Sequence, residues 1–385
     1  MEEKIYQTQE IGSIAKPNWR VKSINNRPIT KRDIDEAIKW GKKLGIKEVS
    51  KLTNTLKKRE YSIEDKQRIK DYSSIYVIKL LEHCGLDIVY NGEQWRSEMY
   101  EYPVKYIDGF EFQGHIRSFD NKYYYKASCK SELKLKRPYH IEEFEFVKSH
   151  TKKAIKVPIT GAYTLADWSY DEYYFKQNYE KYRDMKLAKK KGKEEFTIAL
   201  AREIIQPNIK SLIEKGATYI QIDEPAAASH PEEVSLFVES FNESVRGLDA
   251  KFGVHICFSD YRKLFPEILE MKNCAQFIWE FANRDSHSTG VDSDKRYGYE
   301  ILKLFREYKV DQEVGLGVLD IHTDYIESPE LVRDRIIYAT KILDDPSRIY
   351  CNPDCGLRTR SWKVTEQKLK NLVKGVALAK KELEI

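Results

Sequence analysis

The residues best suited to chemistry in this sequence are soft metal ligands at strand-like positions. His255 and Cys257 stand two apart in Val254-His255-Ile256-Cys257. Glu280 closes Phe277-Ile278-Trp279-Glu280, and Cys355 lies in Asn352-Pro353-Asp354-Cys355-Gly356. Zinc favours four tetrahedral ligands drawn from Cys thiolate, His nitrogen and carboxylate oxygen. Residues two apart on a strand point the same way, so His255 and Cys257 share one space. Taken singly, each reads more simply as a core thiol or a satisfied buried histidine. Together with a strand-terminal Glu and a Cys in a Pro-containing turn, they point to Zn2+. A zinc site with two thiolates and a carboxylate carries about one net negative charge. It polarises carbonyls poorly but suits a thiol that must lose its proton and stay nucleophilic. The expected chemistry is alkyl transfer to sulfur, not hydrolysis.

Such ligands need a frame that brings strand ends together. Eight short apolar runs each end in a polar cluster: Ile11-Gly12-Ser13, then residues 86–93, 157–161, 219–225, 254–257, 277–280, 317–322 and 349–356. Segments of helical period lie between most of them, at 71–84, 196–215, 231–246, 299–308, 331–343 and 365–383. Strand alternating with helix eight times predicts an α/β chain of the (β/α)8 TIM-barrel type. In that fold the active site sits at the C-terminal strand ends, where these polar clusters fall. The whole chain, 1–385, reads as one zinc-binding catalytic domain. Three insertions are expected: a helical excursion over about 14–70 after the first strand, a β-hairpin over about 99–140 after the second, and an extended helix or lid over about 168–195.

Bulk properties exclude several classes. Of 385 residues, 41% are hydrophobic, enough for a large core, and 33% are charged. The net charge of +5 is spread along the chain, and the densest basic run, Lys189 to Lys193, is followed at once by Glu194 and Glu195. That is a solvated helix face, so no nucleic-acid partner is expected. No run of eighteen apolar residues occurs, so no membrane span is expected. The start, Met1-Glu2-Glu3-Lys4, lacks the apolar stretch of a secretory signal. Six cysteines in so long a chain suit free thiols and a cytoplasmic location.

The strings Gln221-Ile222-Asp223-Glu224-Pro225 and Asn352-Pro353-Asp354-Cys355-Gly356-Leu357 are specific enough to name a resemblance. The chain resembles, over essentially its whole length, the catalytic barrel of the cobalamin-independent methionine synthase family, in a short single-barrel form. The resemblance implies zinc ligands His255, Cys257, Glu280 and Cys355. It implies an L-homocysteine site made by Ile11, Gly12, Ser13, Glu93 and Asp223. It makes His322 the proton donor and Trp168 the residue that stacks on a pterin methyl donor. Elementary chemistry agrees with the acceptor site: an amino-acid zwitterion wants carboxylates for its ammonium and hydroxyl or backbone donors for its carboxylate. Other readings stay open from the residues alone. Ser13 and Asp223 suit capping of βα turns. His322 suits a satisfied rim histidine, and Trp168 suits lid packing against Tyr163 or Tyr170.

The donor side departs from the family. A basic-and-cysteine pair that contacts folate is replaced here by Tyr124 and Tyr125. An acidic pterin contact six residues past the aspartate becomes Ser229, with Glu232 and Glu233 slightly beyond. The resemblance thus implies methyl transfer to homocysteine to form L-methionine, from a methylated corrinoid (methylcobalamin or a corrinoid protein) or a methylated pterin or folate. Two rival readings are a zinc alkyltransferase acting on another thiol, such as coenzyme M, and a zinc-stabilised barrel that binds methionine or a partner protein without turnover.

Overall fold

The computed structural model describes residues 5–117 and 123–385. Residues 118–122, within the predicted hairpin insertion, lie outside the described residues. Eleven strands form among those described: β1 (Ile88–Val89), β2 (Ile107–Arg117), β3 (Tyr123–Leu135), β4 (Ala154–Ile155), β5 (Val157–Thr160), β6 (Tyr170–Asp171), β7 (Tyr219–Asp223), β8 (Lys251–Ile256), β9 (Gln276–Trp279), β10 (Glu313–Leu319) and β11 (Ile349–Pro353). Six of them lie side by side in the order β11-β10-β9-β8-β7-β5, each neighbour pair parallel. β1 pairs with β4, also in parallel. Single parallel bridges, Thr8 to Cys351 and Gln9 to Ile88, tie residues 8–9 to β11 on one side and to β1 on the other. The result is a mostly parallel, TIM-like α/β arrangement. β2 and β3 form an antiparallel hairpin apart from it, and β6 extends that sheet.

The strand sequences explain this. Every residue of β5, β7 and β9 is buried, as parallel strands covered on both faces require. Inside, the strands meet through polar side chains as well as apolar ones. Gln9 Nε2 donates to Gln276 Oε1 at 2.9 Å and to Asn352 Oδ1 at 3.0 Å. The Tyr219 hydroxyl donates to Gln276 Oε1 at 2.5 Å and lies 3.2 Å from Gln9 Oε1. Four segments far apart in sequence are thereby fixed in one register.

Two helical expectations need correction. The helix predicted from Asp71 begins at Ile63, because Ser62 caps it: the Asp65 amide donates to Ser62 Oγ at 3.2 Å and a reciprocal capping box closes. The helix predicted from Phe196 begins earlier too. It runs as Met185–Ala199, a π-helical stretch Leu200–Ile205, and Gln206–Glu214. The 168–195 segment supplies β6, a helix Tyr173–Tyr182 and the first part of that long helix.

One close approach is set by the Asp-Glu-Pro string. Glu224 is buried and accepts from the Tyr163 amide (3.1 Å), the Thr164 amide (2.7 Å) and the Thr164 hydroxyl (2.6 Å), capping the Ala162–Asp167 helix. A Cβ on Gly161 would lie 2.1 Å from Glu224 Oε1. With three bonds holding it, this carboxylate cannot step aside. Gly161→Ala is therefore expected to cost about 1–3 kcal/mol, read as a lower midpoint in urea unfolding; an unchanged midpoint would show that the turn relaxes freely.

Candidate metal and substrate site

The His-x-Cys pair sits at the end of β8. The Nδ1 atom of His255 lies 3.0 Å from the Ile278 carbonyl. A carbonyl only accepts, so Nδ1 carries a proton, and Nε2 is the atom a metal ion would meet once its own proton is displaced. Nε2 is 3.4 Å from Cys355 Sγ. The ligand atoms of His255, Cys257 and Cys355 all lie within 4.8 Å of one another. The hydrogen bond from Cys257 and the imidazole of His255 hold the Cys355 thiol well below the usual thiol range, against burial. The same contact, with burial, drives Cys257 well above it. Burial works against a charge on His255, but the adjacent Cys355 thiolate outweighs it and lifts His255 to about 9. Two thiols and an imidazole competing for protons in so small a space are what a divalent cation relieves.

Glu280 is not in that three-residue group, although the sequence reading places it among the ligands. It is fully buried just past β9. Its Oε2 accepts from the Phe258 amide at 2.7 Å and from Asn283 Nδ2 at 3.2 Å. Its Oε1 has no hydrogen-bond partner and faces His322 Nε2 at 3.5 Å. An orphaned buried carboxylate oxygen beside a Cys-Cys-His group fits a role toward a cation. The chain therefore has the donor set for a metal ion.

Residues that sequence reasoning missed hold this group in place. The Tyr261 hydroxyl donates to the Ile256 carbonyl at 2.9 Å and accepts from the Glu280 amide at 2.8 Å, so it joins the ends of β8 and β9. Asp354 accepts from the amides of Phe281 (2.9 Å), Ala282 (3.0 Å) and Asn283 (2.7 Å), so the turn that presents Cys355 also shapes the loop after Glu280. Gly317 permits it, since a Cβ there would meet Asp354 Oδ1 at 2.1 Å. Nothing in the composition of these segments signals the pairings; they follow from neighbouring strand ends.

A cavity of about 140 Å³ opens over the group. Ile11, Gly12, Ser13, Glu93, Asp223, Trp168, His255, Cys257, His322 and Cys355, gathered from seven distant stretches of sequence, all line it. Glu280, fully buried, is not part of the lining. Met99, Pro225, Phe258, Ile321, Gly356, Arg358 and Thr359 complete the wall. Asp223 is oriented by Gln221, whose Nε2 donates to Asp223 Oδ1 at 2.7 Å and to the Ile11 carbonyl at 2.6 Å. Burial pushes Asp223 up to about 7, against the pull of His255. Glu93 has a left-handed backbone (φ 58°), its amide donates to Asn91 Oδ1 at 3.0 Å, and Arg96 stands 3.5 Å from its carboxylate. His322 is set by its own amide bonding Asp320 Oδ1 at 2.8 Å, while Lys368 anchors the Asp320 carbonyl at 2.8 Å. Glu233, one of the acidic residues beyond Ser229, accepts from the Tyr163 hydroxyl at 2.7 Å and meets Lys193 at 2.5 Å. No helix among the described residues is long and apolar enough to cross a membrane.

A parallel TIM-like α/β fold carries, at its C-terminal strand ends, buried carboxylates and a Cys-Cys-His group that could hold a metal ion. Residues 45–378 match the family described as "Cobalamin-independent synthase, Catalytic domain". A protein of Thermoplasma acidophilum called methionine synthase is 37% identical over 95% of this chain and 96% of its own length. One of Thermococcus kodakarensis, with the same name, is 37% identical over 100% of this chain and 96% of its own. A solved B12-independent methionine synthase from Shewanella sp. W3-18-1, in complex with selenomethionine, has the same fold: TM-score 0.74, 23% identity, 99% of each chain covered. The chain belongs to the cobalamin-independent methionine synthase family, and so to the methyltransferases.

Proposed function

We propose that this chain is a zinc-dependent methyltransferase that converts L-homocysteine to L-methionine on one closed (β/α)8 domain. The observation that carries the reading is the placement of His255, Cys257 and Cys355 at a cavity also lined by Glu93 and Asp223. His255, Cys257, Cys355 and Glu280 would hold the ion. When bound, zinc supplies the positive charge that keeps a thiol deprotonated near neutral pH while leaving it nucleophilic.

The chain's own residues do the rest. Glu93 and Asp223 hold the substrate ammonium, and the Ile11-Gly12-Ser13 turn holds its carboxylate through backbone and hydroxyl donors. Proximity then aims the sulfur at the methyl group. A sulfur–carbon bond forms as the bond from methyl to donor breaks, and the electron pair leaves with the donor. His322, on the exposed rim, is placed to protonate a pterin leaving group. The donor is a methylated corrinoid or a methylated pterin. Six free thiols suit the reducing cytoplasm.

Coenzyme M offers a thiol but a sulfonate in place of the amino-acid zwitterion, so Glu93 and Asp223 would have no ammonium to meet. Cobalt-substituted protein separates the two acceptors: its visible spectrum is expected to shift with homocysteine and not with coenzyme M. The reverse would remove homocysteine as the acceptor, and unfolding upon chelation without any turnover would favour a zinc-stabilised binding barrel. Asp223→Asn is expected to weaken homocysteine binding by about 1.5–3 kcal/mol, roughly 10- to 150-fold in Kd, with the cobalt content unchanged. A Kd equal to that of the native protein would assign the ammonium elsewhere.

A further inference from the structure

A second cleft shares no lining residue with the cavity over the Cys-Cys-His group. Its volume of about 410 Å³ falls within the roughly 300–1,000 Å³ of small-molecule pockets. Two helices contribute to it. Ile63–Cys84 supplies Gln67, Lys70 and Asp71, whose spacing of three and four puts them on one face. Ile141–His150 supplies Glu142 and Phe146. Trp95 and Tyr102 add aromatic walls: the indole lies 5.1 Å from the Phe146 ring, and Tyr102 lies 5.3 Å from Tyr106, also in the lining. The last member, Arg137, is satisfied. It donates to Glu142 at 2.8 Å, and its guanidinium lies 5.0 Å from the Tyr106 ring centre. Lys70 is not. It is half-buried, and among the described residues its ammonium makes no hydrogen bond and no ion pair. Burial, then the cations of Arg20 and Lys105, hold it below the usual lysine range, with Asp71 pulling the other way. The indole N–H of Trp95 is buried and also lacks a hydrogen-bond partner among the described residues. Such groups are normally bonded, so each needs a partner to explain it. Asp71 accepts from Gln67 Nε2 at 2.8 Å and enters no ion pair among the described residues. One unpaired cation, one unpaired carboxylate and an unused N–H thus line a single aromatic cleft. A simple anion would be repelled by Asp71, and a simple cation by Lys70. A zwitterion satisfies both.

We propose that this cleft binds an α-amino acid with a large apolar side chain, at a site separate from the acceptor cavity. The ligand carboxylate takes charge-assisted hydrogen bonds from the Lys70 ammonium and the Trp95 indole, and its ammonium meets Asp71. Its side chain lies against Tyr102, Tyr106 and Phe146, where ring contacts and burial favour an aromatic or long aliphatic group over a polar one. The site goes beyond the methyl-transfer reading and does not depend on it.

The test is calorimetric titration of the full chain with L-phenylalanine as the probe. Native protein is expected to bind it saturably at millimolar concentration or below, and saturating homocysteine is expected to leave that binding in place. 3-Phenylpropionate keeps the ring and carboxylate but lacks the ammonium, so it should bind at least about ten-fold more weakly. Lys70→Met keeps the apolar stem and removes the charge. It breaks no ion pair, so its circular dichroism should match that of native protein while phenylalanine binding weakens at least about ten-fold. Trp95→Phe keeps a ring and removes only the N–H, and a loss of roughly two- to ten-fold is expected. It provides a second variant should Lys70→Met fail to fold. No saturable binding of phenylalanine to native protein would overturn the proposal, as would folded variants that both bind it as tightly as native protein does. Displacement of phenylalanine by homocysteine would put the ligand in the acceptor cavity and overturn the separate site. Equal affinity for 3-phenylpropionate would overturn the amino-acid assignment. None of these outcomes bears on methionine formation, which is measured separately.

Discussion

Cys355→Ser is expected to lower methionine formation by more than about 100-fold, since even partners of metal ligands cost 10- to 100-fold when removed. The expectation follows from the pairing at the end of β11. Cys355 Sγ lies 3.4 Å from His255 Nε2, and the Cys257 hydrogen bond and that imidazole favour its thiolate. Serine keeps the shape nearly unchanged but offers no anion at neutral pH and a harder donor atom, so both the ion and the charge that activates an acceptor thiol are lost. The fold should survive, because Asp354, not Cys355, makes the backbone contacts that shape the turn. Zinc content by atomic emission, methionine formation and circular dichroism on the same preparation check each part. A variant that kept stoichiometric zinc and turnover would remove Cys355 from the centre.

Breaking the Glu143–Arg96 ion pair next to Glu93 should have the largest effect on stability. Glu143 is buried, with Oε2 accepting from Arg96 Nε at 2.9 Å and Oε1 accepting from Asn91 Nδ2 at 3.0 Å; His140 stands 3.2 Å away. Arg96 also donates to the Pro158 carbonyl at 2.8 Å and faces Glu93 at 3.5 Å. Glu143→Leu leaves a buried guanidinium without its main counter-charge, an expected loss of about 3–5 kcal/mol, read by urea unfolding at neutral pH. Burial alone would raise the Glu143 carboxyl, but Arg96 beside it holds it down to about 2, from 4.5 in the open chain. A depressed carboxyl stabilises fully above its unfolded value, and that contribution disappears as pH falls from about 4.5 toward 2. The native protein should lose this increment across that window, and Glu143→Leu, having already lost it, should show a shallower acid slope. Equal slopes in the two proteins would place the acid sensitivity elsewhere. Because Arg96 sets Glu93, homocysteine binding should weaken in the same variant.

The two predictions differ in how far the amino-acid sequence anticipates them. His255, Cys257 and Cys355 are legible because strand periodicity puts the first two on one side, and because soft ligands are rare enough to stand out. Glu93 and Asp223 are legible as polar residues closing apolar runs. Glu143, Tyr261 and Asp354 carry no such mark: a carboxylate or phenol in mid-segment looks the same whether it is solvated or paired across the fold. Trp168 and Tyr124 are both visible in the sequence, yet their contact is not, since the hairpin that brings them together is an insertion whose docking no local pattern dictates.

The candidate metal ligands illustrate the division. Local backbone geometry and ligand chemistry depend on residues a few positions apart, so the sequence by itself determined the mostly parallel α/β frame, the Cys-Cys-His set and the polar strand ends. Register, burial and clamping depend on residues brought together from opposite ends of the chain. Only the tertiary structure decided that Glu280 is buried outside the cavity lining, that Asp354 shapes the loop after β9, and that Trp168 packs against Tyr124 and Tyr100. Those outcomes arise because buried polar groups must find partners wherever folding brings them, and that requirement leaves no trace in the order of the residues.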